Sequence, residues 1–341
     1  METRKVQVTG GSTFTVSIPK GWATTQGISA GSEIELHPEG ESLLMIPRRP
    51  REGTEGTIDI AGLTGEDLVR AVVTMYVSGF DLIRLETDAI DPEQRRIIRD
   101  ATQSLVGLEV IEETGEHIVL KDLLDSTELS IHNAITRMRL IALTMLADAI
   151  ESVTHNDEAL AADVAARDDD VDRLWFMVSR VFRSVLRDPR AAAAIGMSRE
   201  VCFDYHSSAR QLERIADHSV KIATLSTELE TVSGDVADAL VELQADAAGI
   251  IEEAMSALLE EDTTEATRLA NHARDEVMHI DDHTRRIDEL IRDLEDAAHA
   301  QLLGLIVDSL SRTADYGGNI AETALQKAAP TPRSSDSVER A

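Results

Sequence analysis

The sequence predicts a multidomain chain: a small β-rich unit, then a small α/β unit, then an all-α half built as a pair of three-helix bundles. Three patterns carry this expectation. From about residue 126 to 329, apolar residues recur at spacings of three and four, with few prolines or glycines inside. Residues 1–51 instead alternate apolar or β-branched residues with polar ones between turn signals. Residues 56–125 switch between the two patterns, as α/β units do.

Composition sets the outer limits. A chain of 341 residues suggests two or three domains with ample core. Its formal net charge is −30, from 33 basic and 63 acidic residues. Lysine occurs only at Lys5, Lys20, Lys121, Lys221 and Lys327. Such an acidic, arginine-over-lysine composition fits a salt-rich, halophilic cytoplasm, where a Debye length of roughly 3 Å at molar salt screens the self-repulsion. The alternative is an acidic surface kept for a basic partner. The lone Cys202 forms no intrachain disulfide, fits a reducing compartment and reads as a buried structural thiol. The opening METRKVQVTGG has no secretory pattern, and no run of about 18 apolar residues is present. A cytoplasmic location is expected.

The elements follow in order. Lys5 to Val8 and Thr13 to Ile18 read as strands. Pro19 opens a short helix, PKGWATTQ, with proline in its tolerated first-turn place, and Gly27 ends it. SEIELH and SLLMIP form a second strand pair about a turn at Pro38-Glu39-Gly40. Pro47, Arg48, Arg49, Pro50 and Arg51 mark a linker. This first unit holds six basic residues (Arg4, Lys5, Lys20, Arg48, Arg49, Arg51) and five acidic ones (Glu2, Glu33, Glu35, Glu39, Glu41), a net of +1, so the other 290 residues carry −31.

In 56–125, GTIDIAG and DLIRLET read as strands. TGEDLVRAVVTMYVSGF is a helix capped by Thr64, and DPEQRRIIRDATQSLVG is a helix with Pro92 in its first turn. EVIEETGEHIVLKDLL is a strand, a turn at Thr114-Gly115, and a strand. Neither strand-to-helix turn carries a glycine-rich phosphate loop. Helices are expected near 126–155, 157–187, 197–228, 232–261, 263–297 and 299–328, grouped as repeats 126–228 and 229–329, with a disordered tail at 330–341.

The helical half reads as an internal duplication. ARQLERIADHSVKIA aligns with LSRTADYGGNIAE when Asp217 is set on Asp315. This matches Arg214 with Arg312, Ala216 with Ala314, Ile222 with Ile320 and Ala223 with Ala321. AARDDDVDRL likewise matches HARDEVMHIDD through Ala166–Asp168 and Ala273–Asp275. Within this frame Asp168 and Asp172 share a helix face, as do Glu213 and Asp217. Like charges at that spacing destabilise a bare helix by a few tenths of a kcal/mol, and a bound cation offsets this. In the second repeat Asp275 and His279 keep the spacing. Asp315 has Ser311 where glutamate is expected, with Asp308 one further turn back. Plain solvation of a very acidic surface is the alternative for any one pair. Recurrence in both repeats, beside Ile215, Ala216 and Ala314, favours a site.

LERIADHSVKIA, with the upstream RDDDVDRL, closely resembles the signature of the PhoU family of phosphate-uptake regulators, here of the archaeal type. The resemblance covers about 126–329. It implies two symmetry-related three-helix bundles whose E/D-x-x-x-D motifs bind multinuclear iron or zinc clusters. The matching residues are Asp168, Asp172, Glu213 and Asp217 in the first repeat, and Asp275 and Asp315 in the second, where His279 and Ser311 depart. An imidazole at His279 suits iron or zinc better than magnesium or calcium. The better site is expected in the first bundle. The family is regulatory, so no enzyme activity and no small-molecule substrate are expected. The implied partners are a phosphate ABC transporter or its ATPase, or a phosphate-sensing protein.

VTGGSTFTVSIPKGWATTQGISAGSEIELHPEGESLLMIPR resembles AbrB/SpoVT swapped-hairpin DNA-binding domains. The marks are Val16–Pro19, Gly27-Ile28 and Gly31. The resemblance implies a swapped-hairpin β-barrel shared by two chains, hence a homodimer, and a transcriptional role. DNA contacts are implied for Arg4, Lys5 and Lys20. Thr24 and Thr25 stand where the bacterial family often has arginines. A dimer with about six such cations would bind phosphates modestly and with strong salt dependence.

Two other readings remain. Glu276-Val277-Met278-His279 is a Glu-x-x-His match of the di-iron carboxylate kind, although the first repeat offers only Asp169 to Asp172 with no histidine. A structural adaptor with solvated acidic pairs, or one that binds metal but not DNA, is the other. No Gly-x-Ser-x-Gly elbow or Walker sequence occurs. His218 reads as a core-edge residue or secondary ligand, and Trp175 and Phe176 as core packing.

Overall fold

The computed structural model describes residues 2–39, 42–48, 53–123, 130–292 and 294–330. The chain forms two compact units, Met1–Gly53 and Thr54–Ala341.

In the first unit, β1 (Gln7–Thr9) and β2 (Thr13–Thr15) pair antiparallel across Gly10 and Gly11, whose φ of 66° and 82° suits glycine at the turn. Helix α1 (Lys20–Thr25) begins directly after Pro19 and stops before Gly27, at φ 62°. β3 (Ile34–Glu39) pairs with β4 (Ser42–Pro47). The expected turn at Pro38 is instead strand, with Pro38 opposite Leu43. Each strand of a two-stranded ribbon is an edge, where proline is tolerated. β1 and β2 are also shorter than expected. The two hairpins are separate sheets, and none of the described residues of this unit is buried. Val6, Val8, Val16, Leu36 and Leu43 are exposed, and Phe14 is 77 % exposed. A lone two-stranded ribbon is marginal in water, and the described residues of this unit form no core of their own.

The second unit opens with a four-stranded mixed sheet. Its strands are β5 (Glu55–Asp59), β6 (Leu82–Glu86), β7 (Leu108–Glu113) and β8 (His117–Asp122), in the order β5-β6-β8-β7. β5 and β6 are parallel, joined through α2 (Gly65–Val77). α3 (Pro92–Gln103) follows β6 and opens with a capping box: the Asp91 side chain accepts from the Gln94 amide at 2.8 Å, and the Asp91 amide donates to Gln94 Oε1. Thr64 occupies the N-cap of α2, as the sequence suggests, but its side chain makes no capping bond. Leu68, Val72, Tyr76, Ile83, Leu85, Ile98, Ile118 and Leu120 form the core between sheet and helices.

The rest is helical: α4 (Ile131–His155), α5 (Glu158–Arg187), α6 (Pro189–Ala194), α7 (Arg199–Ser226), α8 (Gly234–Leu259), α9 (Thr263–Arg292) and α10 (Ala297–Ala328). α4, α5 and α7 pack as one three-helix bundle, and α8, α9 and α10 as another. α7 against α10 and α4 against α8 join them around a continuous core. Ser130, Asp157, Ser198 and Asp296 cap α4, α5, α7 and α10, each accepting from a first-turn amide. The short α6 was not expected; Asp188 caps it and Pro189 starts it. The expected helix to 297 ends at Arg292, because Asp296 caps a new helix at Ala297. The expected start of the first helix at 126, and the tail 331–341, lie outside the described residues. Among the described residues, no helix is long and apolar enough to cross a membrane.

The sheet layer docks on the bundle through α5. Arg180 is 5 % exposed. It donates to the Tyr76 carbonyl and to Asp122 Oδ2, both at 2.6 Å, and lies 4.9 Å from the centre of the Tyr76 ring. Arg187, two turns on, donates to the Ser78 carbonyl.

α10 reaches α8 closely through Gly317. A Cβ there would lie 2.8 Å from Ile250 Cγ2 and 3.1 Å from Ile251 Cγ1. Gly317→Val is therefore expected to cost about 1–3 kcal/mol or more by overpacking. Gly304→Ala, on the same helix with nothing within 4 Å of the added carbon, is expected to be neutral or to stabilise by up to about 1 kcal/mol. Urea unfolding of the two variants checks both.

Candidate metal centre

Two neighbouring helices of the first bundle build the site. Val171 on α5, and Leu212, Ile215 and Ala216 on α7, are fully buried and fix the two backbones against each other. The four-residue spacing then places Asp168 and Asp172 on α5 beside Glu213 and Asp217 on α7. Glu213 is 7 % exposed, Asp168 and Asp172 are half-buried, and Asp217 is exposed.

The electrostatics report crowding. Burial, and then the charge of Asp172, Asp217 and Asp169, pushes the Asp168 carboxyl up to about 6. Burial, and then Asp217 and Asp169, raises Asp172 to about 6. Burial, with Asp217 next, raises Glu213 to about 7, against the lowering influence of Arg210. Asp217 is raised by burial. Arg210 donates to Glu213 Oε1. Glu213 Oε2 and Asp168 Oδ1 are buried and have no hydrogen-bond partner among the described residues.

These residues fit a cation by chemistry: four carboxylates, two orphaned buried oxygens, and charges that raise one another's pKa. Among the described residues, no three His, Cys, Asp or Glu side chains converge as ligands of one ion in this conformation. The carboxylates feel one another's charge, and Glu213 is engaged by Arg210.

The second repeat is different. Asp275 and His279 are exposed on α9, and exposed Asp315 on α10 accepts from Arg312 at 3.5 Å. Glu276 and His279 face solvent, and Met278 between them is 76 % exposed, so this Glu-x-x-His does not point into the bundle core. At the N-terminus Arg4, Lys5 and Lys20 are all exposed, and Arg4 pairs with Glu2.

Two features escaped the sequence reading. Asp169 adds its charge to the cluster. A cavity of about 440 Å³ between α2 and α5 reaches Asp169 and Asp172, with Val69, Val73, Arg173 and Phe176 among its other walls. Only the packing of the sheet layer on α5 creates it, so no local spacing signals it. Phe176 packs against the sheet-layer core and Trp175 against the helical core, with Arg210 over its ring. Half-buried His218 packs against Tyr316 of α10, and Cys202 is buried, its thiol pushed up to about 11 by burial.

The architecture defines a class: two three-helix bundles side by side, preceded by a mixed-sheet layer and a separate β-hairpin unit. Residues 135–226 match the PhoU domain model, and residues 7–53 match the model for antidote-toxin recognition MazE, bacterial antitoxin. The crystal structure of PhoU from Pseudomonas aeruginosa is similar at 20 % identity and a TM-score of 0.50, over 57 % of this chain and 93 % of that one. The phosphate transport system regulatory protein PhoU from Streptococcus pneumoniae is similar at 17 % identity and a TM-score of 0.45, over 60 % of this chain and 96 % of that one. No curated protein matches the sequence significantly. The PhoU match lies within the helical part of the second unit, and the MazE match covers the hairpin unit.

Proposed function

We propose that the protein is a non-enzymatic, PhoU-type regulator of phosphate uptake. It binds iron or zinc in its first bundle and acts on transcription as a dimer through its N-terminal domain. The observation that carries the metal reading is the group Asp168, Asp172, Glu213 and Asp217, with its two orphaned buried oxygens. A bound ion supplies positive charge there; the chain's own part is to hold four carboxylates on two helices fixed by buried neighbours. Asp275, His279 and Asp315 are assigned a weaker role, because all three are exposed, whereas in the first bundle Asp217 alone of the four is. The dimer is supported by the coreless N-terminal hairpins, whose exposed Val8, Phe14, Leu36 and Leu43 need a second copy to cover them. Arg4, Lys5 and Lys20 are the proposed DNA contacts. The transporter, its ATPase or a phosphate-sensing protein is the proposed partner.

Elemental analysis of untagged protein, purified without chelators, tests the metal reading. At least one equivalent of iron or zinc is expected, and its loss in Asp168→Asn/Asp172→Asn. Less than a tenth of an equivalent would leave a structural adaptor as the better reading. Chromatin immunoprecipitation tests the transcriptional half, which fails if phosphate-transport promoters are not enriched and phosphate-responsive expression is normal in a deletion strain. Metal binding without such enrichment identifies a metal-binding adaptor instead.

A further inference from the structure

We propose that the cavity between α2 and α5 binds a small aliphatic α-amino acid, held as a zwitterion between Asp169 and Arg173 with its side chain on Val69, Val73 and Phe176. This does not rest on the metal reading, because neither Asp169 nor Arg173 is one of the four carboxylates assigned to the ion. α2 presents Glu66, Val69, Arg70 and Val73 to the cavity, and α5 presents Asp169, Asp172, Arg173 and Phe176. Both sets fall at i, i+3, i+4 and i+7, the stripe by which one helix packs on another. Here the two stripes do not close. They are pinned beyond one end, where Arg180 donates to the Tyr76 carbonyl at 2.6 Å and Arg187 to the Ser78 carbonyl. On the side of Glu66 and Asp169 they leave about 440 Å³ between them. That is the size of a small-molecule pocket, and the junction of two layers is where such pockets form.

The lining divides by chemistry. Val69, Val73 and Phe176 are half-buried and form an apolar wall backed by the sheet-layer core. Arg70 is already engaged, by Asp67 at 3.1 Å. Ser104 donates its hydroxyl to the Ala101 carbonyl at 2.9 Å. Arg173 forms no ion pair among the described residues, not even with Asp169 one turn before it. A carboxylate and a guanidinium four residues apart have Cβ atoms about 5–6 Å apart and can pair directly. Left apart on the wall of a cavity, they offer an anion and a cation to one ligand. An α-amino acid carries its ammonium and carboxylate on a single carbon, so each charge meets its opposite at that spacing, in charge-assisted hydrogen bonds. A plain amine would leave Arg173 unanswered, and a plain carboxylate would leave Asp169 so. The apolar wall then sets the side chain: a hydrocarbon one gains by leaving water there, whereas a charged one would lose its hydration without a partner.

Calorimetric titration of the full chain with L-leucine and with L-valine tests this. Saturable binding of one molecule per chain is expected for at least one of the two. Arg173→Gln and Asp169→Asn alter exposed residues outside the core, and each is expected to weaken that binding about tenfold. Arg183→Gln removes an exposed charge from the same helix beyond the cavity and is expected to bind as the parent does. Isoamylamine is L-leucine without its carboxylate, and isocaproate is L-leucine without its ammonium group; each is expected to bind at least tenfold more weakly than L-leucine. Binding of neither amino acid by the folded parent overturns the proposal. So does parent-like binding by either cavity variant, or an equal loss in Arg183→Gln, since both put the ligand elsewhere. Isoamylamine binding as tightly as the amino acid would make the cavity a cation site, and isocaproate doing so an anion site; either result also overturns it.

Discussion

Arg180→Ala is expected to destabilise the second unit by about 3–5 kcal/mol and to undock the sheet layer from the bundle. The reason is desolvation. Arg180 is buried at the junction, and its guanidinium serves both the Tyr76 carbonyl and Asp122 at 2.6 Å. Alanine removes the guanidinium from the largely buried Asp122 carboxylate and takes one of two donors from the Tyr76 carbonyl, which keeps the Gly79 amide at 2.9 Å. Removing one member of a buried pair costs far more than the pair contributes. Arg180→Met with Asp122→Asn removes both charges and is expected to recover most of the loss. Urea unfolding gives the magnitude, and limited proteolysis of 54–123 reports the undocking. A single-variant cost below about 1 kcal/mol would show that the junction is held by packing instead.

Lowering the pH from 8 toward 6 is expected to stabilise the helical bundle when no metal is added. Asp168 and Asp172 titrate near 6 in the fold and Glu213 near 7, all above their unfolded values. Between the unfolded and folded values the native state holds more protons, so stability falls as pH rises through that window. The penalty is complete above about 7.5 and absent below about 4. Nearly buried Glu213 contributes on the order of 2 kcal/mol, and the half-exposed aspartates less. His206 opposes this below 6.5, since burial lowers it to about 4 and its charging in the unfolded chain favours unfolding. The clearest gain is therefore between pH 7.5 and 6.5. Thermal unfolding across that range checks the sign. Asp168→Asn/Asp172→Asn should flatten the profile and raise stability at pH 7.5. A bound cation should do the same in the parent, since it replaces protons on the same oxygens.

The periodicity of 126–329 was enough to locate six long helices. It missed α6, and it ran one helix past Arg292, because an unbroken apolar pattern does not reveal that Asp296 will cap a new start. Pro92 is a local signal and was legible as a helix start, whereas the capping box of Asp91 and Gln94 came only with the structure. At Pro38 a turn signal lost to strand pairing with Leu43, a contact only the folded ribbon supplies.

The site divides the same way. Helical spacing by itself put Asp168 with Asp172 and Glu213 with Asp217, because i and i+4 share a face whatever the surroundings. At that level His279 and Ser311 already marked the second repeat as the weaker one, and the better site was expected in the first bundle. Tertiary packing set the two further apart. In the first bundle, buried Val171, Leu212 and Ile215 bring two acidic faces together at the edge of a core. In the second, Asp275, His279 and Asp315 face water. Sequence thus determined which carboxylates share a helix face, since that depends only on backbone period. Burial, the pKa shifts and the placing of Arg210 between Glu213 and Trp175 depend on which helices meet, and only the packed structure decided them.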